Sequence, residues 1–306
     1  MSQNEPIVKT MMMLNADGSA FHLQAFPDEI APLILLVGDP ARVRAIAKHF
    51  DTIEVTRFNR EFLLETGWLG QTRITVISTG IGMDNVDIVM NELDMLVNID
   101  LKNDCVKSEI KSLNIIRIGT CGALQADIPI ESMLISASAF SFEGLLYYYD
   151  YHYDQQDLDL CHALQQHFVD FPVAADLYVG HAAPELVKLF SHLGHTGITF
   201  TASGFYGPQG RFLRAKPPKD GKNLIAITNQ FKYKGQRLVN FEMESAAIFA
   251  LGNILGHRSC TINTVLANRI TNELSLHPHE AIENTIRQVL TIIENNNIFK
   301  TYPETR

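Results

Sequence analysis

Arg117 lies inside the apolar run Ile115-Ile116-Arg117-Ile118, where a charged group must be paired or must face a site at the strand end. The residues that follow, Gly119-Thr120-Cys121-Gly122, predict a tight turn that aims backbone N–H groups at a ligand. A structural ion pair with one of the many carboxylates would also explain Arg117. The adjoining Gly-Thr-x-Gly segment tips the reading toward anion binding. In Gly38-Asp39-Pro40-Ala41-Arg42-Val43, Asp39 reads as an N-cap and Pro40 as the first helical residue. Arg42 then stands in the first turn, where a cation opposes the helix dipole. Taken singly it is a solvated surface arginine; together with the free amides of the helix end it could hold an anion.

Other segments carry chemistry of a different kind. Asn240-Phe241-Glu242-Met243-Glu244-Ser245 reads as the opening of a helix, and acidic residues in a first turn suit the dipole. The sharper reading is that one carboxylate binds a sugar diol while Met243 packs on the sugar. Phe205-Tyr206-Gly207-Pro208-Gln209-Gly210-Arg211 could stack on and hydrogen-bond a flat heterocycle, since Gln offers donor and acceptor and Arg a fork of donors. Composition alone makes it a surface loop. Ser78-Thr79-Gly80-Ile81-Gly82 lacks the third glycine of a dinucleotide loop and reads as a tight strand-to-helix turn. His277-Pro278-His279-Glu280 reads as a helix-start loop, with no further ligand at metal-site spacing.

Positioning such groups requires alternating strands and helices. Leu33–Val37, Ile74–Ser78, Ile115–Ile118, Met133–Ala137, Leu224–Thr228 and Cys260–Val265 read as buried strands. Helical faces follow: Val43, Ile46, Ala47 and Phe50; Val86, Val89, Met90, Leu93, Leu96 and Val97; Ala246 to Leu255, stopped by Gly256; and Ile282, Ile286, Val289, Leu290 and Ile293. This alternation predicts an α/β sandwich around a largely buried sheet. Residues 1–306 are expected to form a single domain, with residues 1–20 as an N-terminal extension and insertions near 147–156 and 214–223.

The chain has 306 residues, 46% hydrophobic and 19% charged, a globular balance rather than a disordered one. A formal charge of −9 argues against nucleic acid as the main partner. It does not argue against a small anion held by a few local arginines. Cys105, Cys121, Cys161 and Cys260 fit neither a zinc spacing nor a disulfide framework, so a reduced, cytoplasmic setting is expected. No apolar stretch reaches membrane-spanning length, and the Met11–Leu14 run is too short for a signal-peptide core.

The order of the segments says more than any one of them. GDPARV, Asn59-Arg60-Glu61-Phe62, STGIG, RIGTCG, FYGPQGR, FEMES and Ala267-Asn268-Arg269 follow one another as in the nucleoside phosphorylases whose subunits have one domain. From about Phe21 onward the chain resembles that family, and within it the uridine phosphorylases. The resemblance implies a three-layer α/β/α sandwich with a central mixed, partly barrelled sheet. It also implies self-association as a dimer or trimer of dimers, with sites shared between subunits.

Residue by residue, it implies that Gly38, Arg42, Arg117 and Thr120 form the phosphate site of one subunit, with Arg60 reaching in from the neighbour. His22 resembles the neighbour's ligand for the ribose 5′-hydroxyl. Glu244 and Met243 match the ribose clamp, Gln209 and Arg211 the uracil-reading pair, and Phe205 the ring packed on the nucleoside; Glu242 is expected beside the base pocket. Arg117, Glu244, Gln209 and Arg211 are the expected catalytic residues. Asn268-Arg269 matches uridine phosphorylases, where the purine enzymes carry an aspartate.

No cofactor or metal is implied beyond inorganic phosphate as co-substrate. Some bacterial members bind a monovalent cation near the glutamate that Glu61 matches, but Met83-Asp84-Asn85 departs from their Gly-Pro-Ser. The implied reaction is phosphorolysis of uridine to uracil and ribose 1-phosphate, with deoxyuridine and thymidine open as further substrates. A purine phosphorylase and a nucleosidase of the same fold are the alternatives within the family. A nicotinamide-dependent oxidoreductase and a non-catalytic binding protein are the alternatives outside it.

Overall fold

The structure is a computed structural model, and it describes residues 6–171, 177–217 and 223–300. The strands are β1 (Leu33–Val37), β2 (Thr52–Asn59), β3 (Phe62–Leu69), β4 (Thr72–Ser78), β5 (Ile99–Asp100), β6 (Cys105–Val106), β7 (Asn114–Ala123), β8 (Met133–Ser141), β9 (Tyr178–His181), β10 (His195–Thr201), β11 (Lys232–Tyr233), β12 (Gln236–Glu242), β13 (Arg258–Asn268) and β14 (Glu273–Leu274). The helices are α1 (Lys9–Met12), α2 (Pro40–Ala47), α3 (Met83–Asn98), α4 (Gln155–His167), α5 (Pro184–Phe190), α6 (Leu224–Gln230), α7 (Ser245–Leu255) and α8 (Pro278–Asn295).

The main sheet runs β11-β12-β10-β8-β13-β7-β1-β4-β3-β2, and β12 also pairs with β7. That extra pairing closes β7, β12, β10, β8 and β13 into a five-stranded barrel, from which β1, β4, β3 and β2 continue as an open sheet. The mixed, partly barrelled sheet is therefore present. Parallel pairings of β1 with β4 and β7, and of β7 with β13, bring several strand ends to one edge, where ligands bind in open α/β sheets.

Helices cover both faces. Val86, Val89, Met90 and Leu93 of α3 pack with Ala246, Ala247 and Ala250 of α7 in one apolar cluster. Val43 and Ile46 of α2, Leu186 of α5, and Ile286, Val289 and Ile293 of α8 pack in another. A third cluster is aromatic, built on Phe140, Phe168, Phe200, Phe231 and Phe241.

Local signals account for several boundaries. The Asp39 side chain accepts from the Ala41 backbone N–H at 2.8 Å, with Pro40 opening α2. Gly256, at φ +76°, ends α7 in the left-handed conformation, as glycine permits. Residues 33–37, expected to be a strand, are one.

Three readings need correction. Leu224–Thr228 is the body of α6, not a strand: the Asn223 side chain caps it at the Ala226 N–H, and a five-residue apolar run has no period that tells strand from helix. Residues 240–242 end β12 rather than open a helix, and α7 begins only at Ser245. Gly119–Gly122 is not a turn, because β7 runs straight through it to Ala123. The Tyr147–Gln156 segment is fastened to α3, where the Tyr149 hydroxyl donates to Asp87 and accepts from Asn91. Residues 218–222 of the second expected insertion lie outside the described residues. Among the described residues, no helix is long and apolar enough to cross a membrane.

Candidate active site

The barrel strand β7 carries one functional group after another along a single edge. Arg117 is buried at 5% exposure. One terminal nitrogen, Nη2, donates to Glu244, and the other, Nη1, donates to Asn263 Oδ1 at 3.0 Å. Glu242 Oε2 lies 3.6 Å away. The room for this guanidinium comes from a missing side chain. A Cβ built on Gly119 would lie 1.7 Å from Arg117 Nη1 and 2.4 Å from Asn263 Oδ1. Gly119→Ala should therefore fold, displace the guanidinium and weaken anion binding about tenfold or more, the effect of losing a charged hydrogen bond. A phosphate titration checks this; unchanged affinity would refute it.

Arg42 approaches the same place from α2, its Nη1 donating to the Ile118 carbonyl at 3.3 Å. Burial, and then the neighbouring Arg117 charge, hold its pKa below the usual arginine range. The two guanidinium groups repel one another, offset in part by Asp39 and then Glu244, an arrangement suited to an anion. Thr120 is half-buried further along β7, and Gly38, just past β1, lies against the Gly80 carbonyl, 3.3 Å from where its Cβ would stand.

Glu244 ties this pocket to the next. Its Oε1 accepts from the Gly82 N–H at 3.0 Å while Oε2 receives Arg117, so the Ser78–Gly82 turn serves the site through its backbone. Met243 beside it is half-buried. Glu242 Oε2 accepts from the Glu244 N–H, the Ser245 N–H and the Ser245 hydroxyl, at 3.0, 2.9 and 2.9 Å, and so caps the α7 N-terminus from the end of β12, while its Oε1 accepts from the Thr201 hydroxyl. Burial raises its pKa, partly offset by Arg117.

A third group gathers where β7 ends. The Arg269 N–H donates to the Ala123 carbonyl at 2.9 Å, and Arg269 Nη1 donates to the Gln209 carbonyl at 3.1 Å. Arg211 donates to the Gln209 side-chain oxygen and, at 2.7 Å, to the Phe205 carbonyl, while its Cζ lies 4.0 Å from the Phe205 ring centroid. Burial and the Arg269 charge lower the Arg211 pKa to about 10. Gln209 is buried and Phe205 exposed. Asn268 pins the adjoining turn, donating to the Gln125 and Ile128 carbonyls and accepting from the Ile270 and Thr271 N–H groups.

The arginines sort into two kinds. Arg57 and Arg237 are held by carboxylates, Glu29 and Asp127. Arg42, Arg211 and Arg269 are half-buried yet have no carboxylate partner among the described residues. Half-buried cations without counter-ions await negative charge or carbonyl oxygen from elsewhere.

Arg60 and His22 are not part of this cluster of contacts; they share a patch of their own. Arg60 is exposed at the β2–β3 turn, at φ 56°. The adjacent Asn59 donates to the His22 carbonyl at 2.9 Å, and Phe62 meets the His22 ring edge-on at 6.0 Å. His22 Nδ1 sits 2.7 Å from Glu92, whose carboxylate also accepts the His22 and Leu23 N–H groups. Near Glu61, Asn85 Nδ2 donates to the carboxylate at 3.1 Å. Among the described residues, no group of three or more His, Cys, Asp or Glu side chains is placed to hold a metal ion.

Two contributors escape sequence reasoning. Glu92 is a buried carboxylate on the apolar face of α3, and Asn263 is a fully buried amide in the apolar run of β13. In each case the signal was a polar residue at a core position.

A family model described as the phosphorylase superfamily matches residues 32–294. The uridine phosphorylase of Thermococcus kodakarensis is 32% identical over 258 residues, covering 84% of this chain and 80% of that protein. The uridine phosphorylase of Haemophilus influenzae is 27% identical over 278 residues, covering 89% and 95%. Among solved structures, a Trypanosoma brucei nucleoside phosphorylase described as showing uridine phosphorylase activity superposes with a TM-score of 0.81 at 26% identity, covering 91% of this chain and 98% of that one.

Proposed function

The chain belongs to the phosphorylase superfamily, and from that premise we propose that it is a uridine phosphorylase, a pentosyltransferase that cleaves uridine with inorganic phosphate to uracil and ribose 1-phosphate. The observation that carries this reading is the gathering of arginines in two places, an anion pocket where Arg42 stands beside the buried, Glu244-paired Arg117, and a carbonyl-reading group at Gln209, Arg211 and Arg269. The naming of the relatives from T. kodakarensis and H. influenzae supports it. The family match and one continuous main sheet support treating the chain as a single unit of this kind.

The chemistry follows from the groups. Phosphate is a weak nucleophile and the ribosyl carbon reacts through an oxocarbenium-like state, so the enzyme must hold phosphate below C1′ and stabilise the departing base. A phosphate oxygen forms the bond to C1′ as the bond from C1′ to the base nitrogen breaks, and that bonding pair leaves with uracil. Arg42, Arg117, Gly38 and Thr120 hold the phosphate, with Arg60 supplied by a neighbour. Glu244 and Met243 hold the ribose, and Gln209 and Arg211 receive the charge on the base. Phe205 packs on the nucleoside. No covalent intermediate is needed.

Occupancy changes the partners of Arg117. Glu244 pairs with Arg117; with both substrates bound, phosphate takes that role and Glu244 turns to the sugar hydroxyls. The deciding experiment is phosphate-dependent release of free base from uridine, thymidine, cytidine, inosine and adenosine. Uridine should be the best substrate; equal release without phosphate would establish a nucleosidase instead.

The active unit in this reading is at least a dimer, in a cytoplasmic setting. Its support is that His22 and Arg60 share one patch through Asn59 and Phe62 and make no bond to the Arg42–Arg117 pocket of their own chain. An Arg60→Ala protein mixed with a Glu244→Ala protein should regain activity after subunit exchange, approaching about one quarter of wild type if hybrids form at random and intact sites act independently. A fully active monomer by light scattering at assay concentration would refute the shared site.

A further inference from the structure

We infer that Asn263 is a positioning residue for phosphate, holding the Arg117 guanidinium in place while its carboxylate partner is exchanged for substrate; this rests on the phosphorolytic reading above. Asn263 is fully buried in the middle of β13, in register with Gly119 of β7. Its Oδ1 accepts from Arg117 Nη1 at 3.0 Å. A guanidinium has only donors, so chemistry fixes the orientation of the amide: its oxygen must face the arginine. The amide nitrogen is then left as a buried donor with no protein partner. Its strand neighbours Ile262 and Thr264 are fully buried too, and where Thr264 finds its partner in the Thr285 hydroxyl, the partner of Asn263 is Arg117.

The notch where the two meet exists because residue 119 has no side chain, as the 1.7 and 2.4 Å clashes of a built Cβ show. Arg117 is thus gripped at two ends by different kinds of group. Glu244, charged, holds Nη2 and is the group the ribose requires. Asn263, neutral, accepts directly from Nη1, while the Glu242 carboxylate stands farther off at 3.6 Å and is engaged by the α7 N-terminus. A neutral acceptor orients the guanidinium without cancelling its charge, which leaves that charge for phosphate. A carboxylate at the same position would orient it equally well and compete with the substrate.

The distinction gives the test. Binding of inorganic phosphate alone is measured by calorimetry for wild type, Asn263→Ala and Asn263→Asp, and steady-state constants are measured for phosphate and uridine separately. Asn263→Ala should weaken phosphate binding about ten- to a hundredfold, the range for one hydrogen bond to a charged group. The uridine KM should move by less than about threefold, as expected of a group that acts on one substrate only. The nearly isosteric Asn263→Asp, which gives Arg117 a third carboxylate beside Glu244 and Glu242, should fold and bind phosphate more weakly still, with affinity partly recovered at low pH as the new carboxyl protonates. Wild-type-like phosphate binding in both variants, or equal losses for both substrates, would overturn the inference. Should Asn263→Ala fail to fold, the Asn263→Asp affinity and pH profile decide alone. If wild type binds phosphate and the variants do not, yet uridine is not cleaved, the role of Asn263 stands and the substrate assignment falls.

Discussion

Arg117→Ala should lower uridine turnover by about two to three orders of magnitude, the loss seen when a preorganised anion-stabilising donor is removed. The expectation rests on position. Arg117 is the most buried arginine of the anion pocket, anchored by Asn263 and Glu244 in space that Gly119 leaves open. Arg42 cannot replace it, since it reaches the pocket from α2 with its own Nη1 on the Ile118 carbonyl.

The substitution also leaves Glu244 and Glu242 close together without the cation that served both. Breaking a buried pair in this way costs about 3–5 kcal/mol, so the melting temperature should fall as well. Loss of fold and loss of chemistry must therefore be separated. Arg117→Lys keeps a charge but loses the planar two-ended grip. It should melt closer to wild type and still lose most of its phosphate affinity. Turnover at saturating uridine across a phosphate series, with circular dichroism on the same samples, reads both effects. Wild-type rates that persist in phosphate-free buffer would remove phosphate from the mechanism.

How far the site was legible depended on whether its residues act locally. The Asp39 cap and Pro40 are local chemistry, and they place Arg42 on the helix that carries it. Arg117 in an apolar strand announced a partner or a site, and it has partners in Glu244 and Asn263. What could not be read was the identity of the partner, because Glu244 reaches Arg117 only through barrel closure. That closure between β12 and β7 rests on the pairs Asn240 with Ala123 and Phe241 with Gly122, a register no local pattern specifies.

The β2–β3 hairpin escaped notice for another reason. Most of Thr52–Asn59 is exposed or half-buried, so it shows no apolar run, although its turn presents Arg60. The stretch from Gly119 to Gly122 misled through composition: glycines that suggest a turn stand in a strand, where the missing side chain at 119 admits a guanidinium. Motif order through the resemblance, not periodicity, brought Arg60 and His22 into the reading. The structure adds that Asn59 and Phe62, which flank the turn carrying Arg60, both contact His22.

Uridine should exceed cytidine by at least about a hundredfold in kcat/KM, and inosine should be poor. The group at the end of β7 is rich in donors: Arg211 and Arg269 stand together with no carboxylate between them, and Arg211 keeps its proton at neutral pH, its pKa lowered only to about 10. Such a group selects bases that present carbonyl oxygens. Gln209 can donate to O4 and accept from the N3 hydrogen of uracil, while Arg211 donates to a ring carbonyl. Arg211 stacks on Phe205 and bonds the Gln209 oxygen, so these three groups are held together.

Cytosine presents an amino donor at position 4 and an unprotonated N3, so donor would face donor and acceptor would face acceptor. Each buried mismatch costs about 1–3 kcal/mol, and two compound to about 2–6 kcal/mol, the middle of which exceeds the hundredfold expected. A purine needs space for a second ring, but Arg269 closes on the Gln209 carbonyl at 3.1 Å and fills that side. No aspartate stands at the Asn268-Arg269 step to protonate a purine nitrogen. Side-by-side kcat/KM values at saturating phosphate decide the matter. If inosine or adenosine is cleaved best, Gln209, Arg211 and Arg269 are not uracil readers, even though the anion pocket at Arg42 and Arg117 would be untouched by that result.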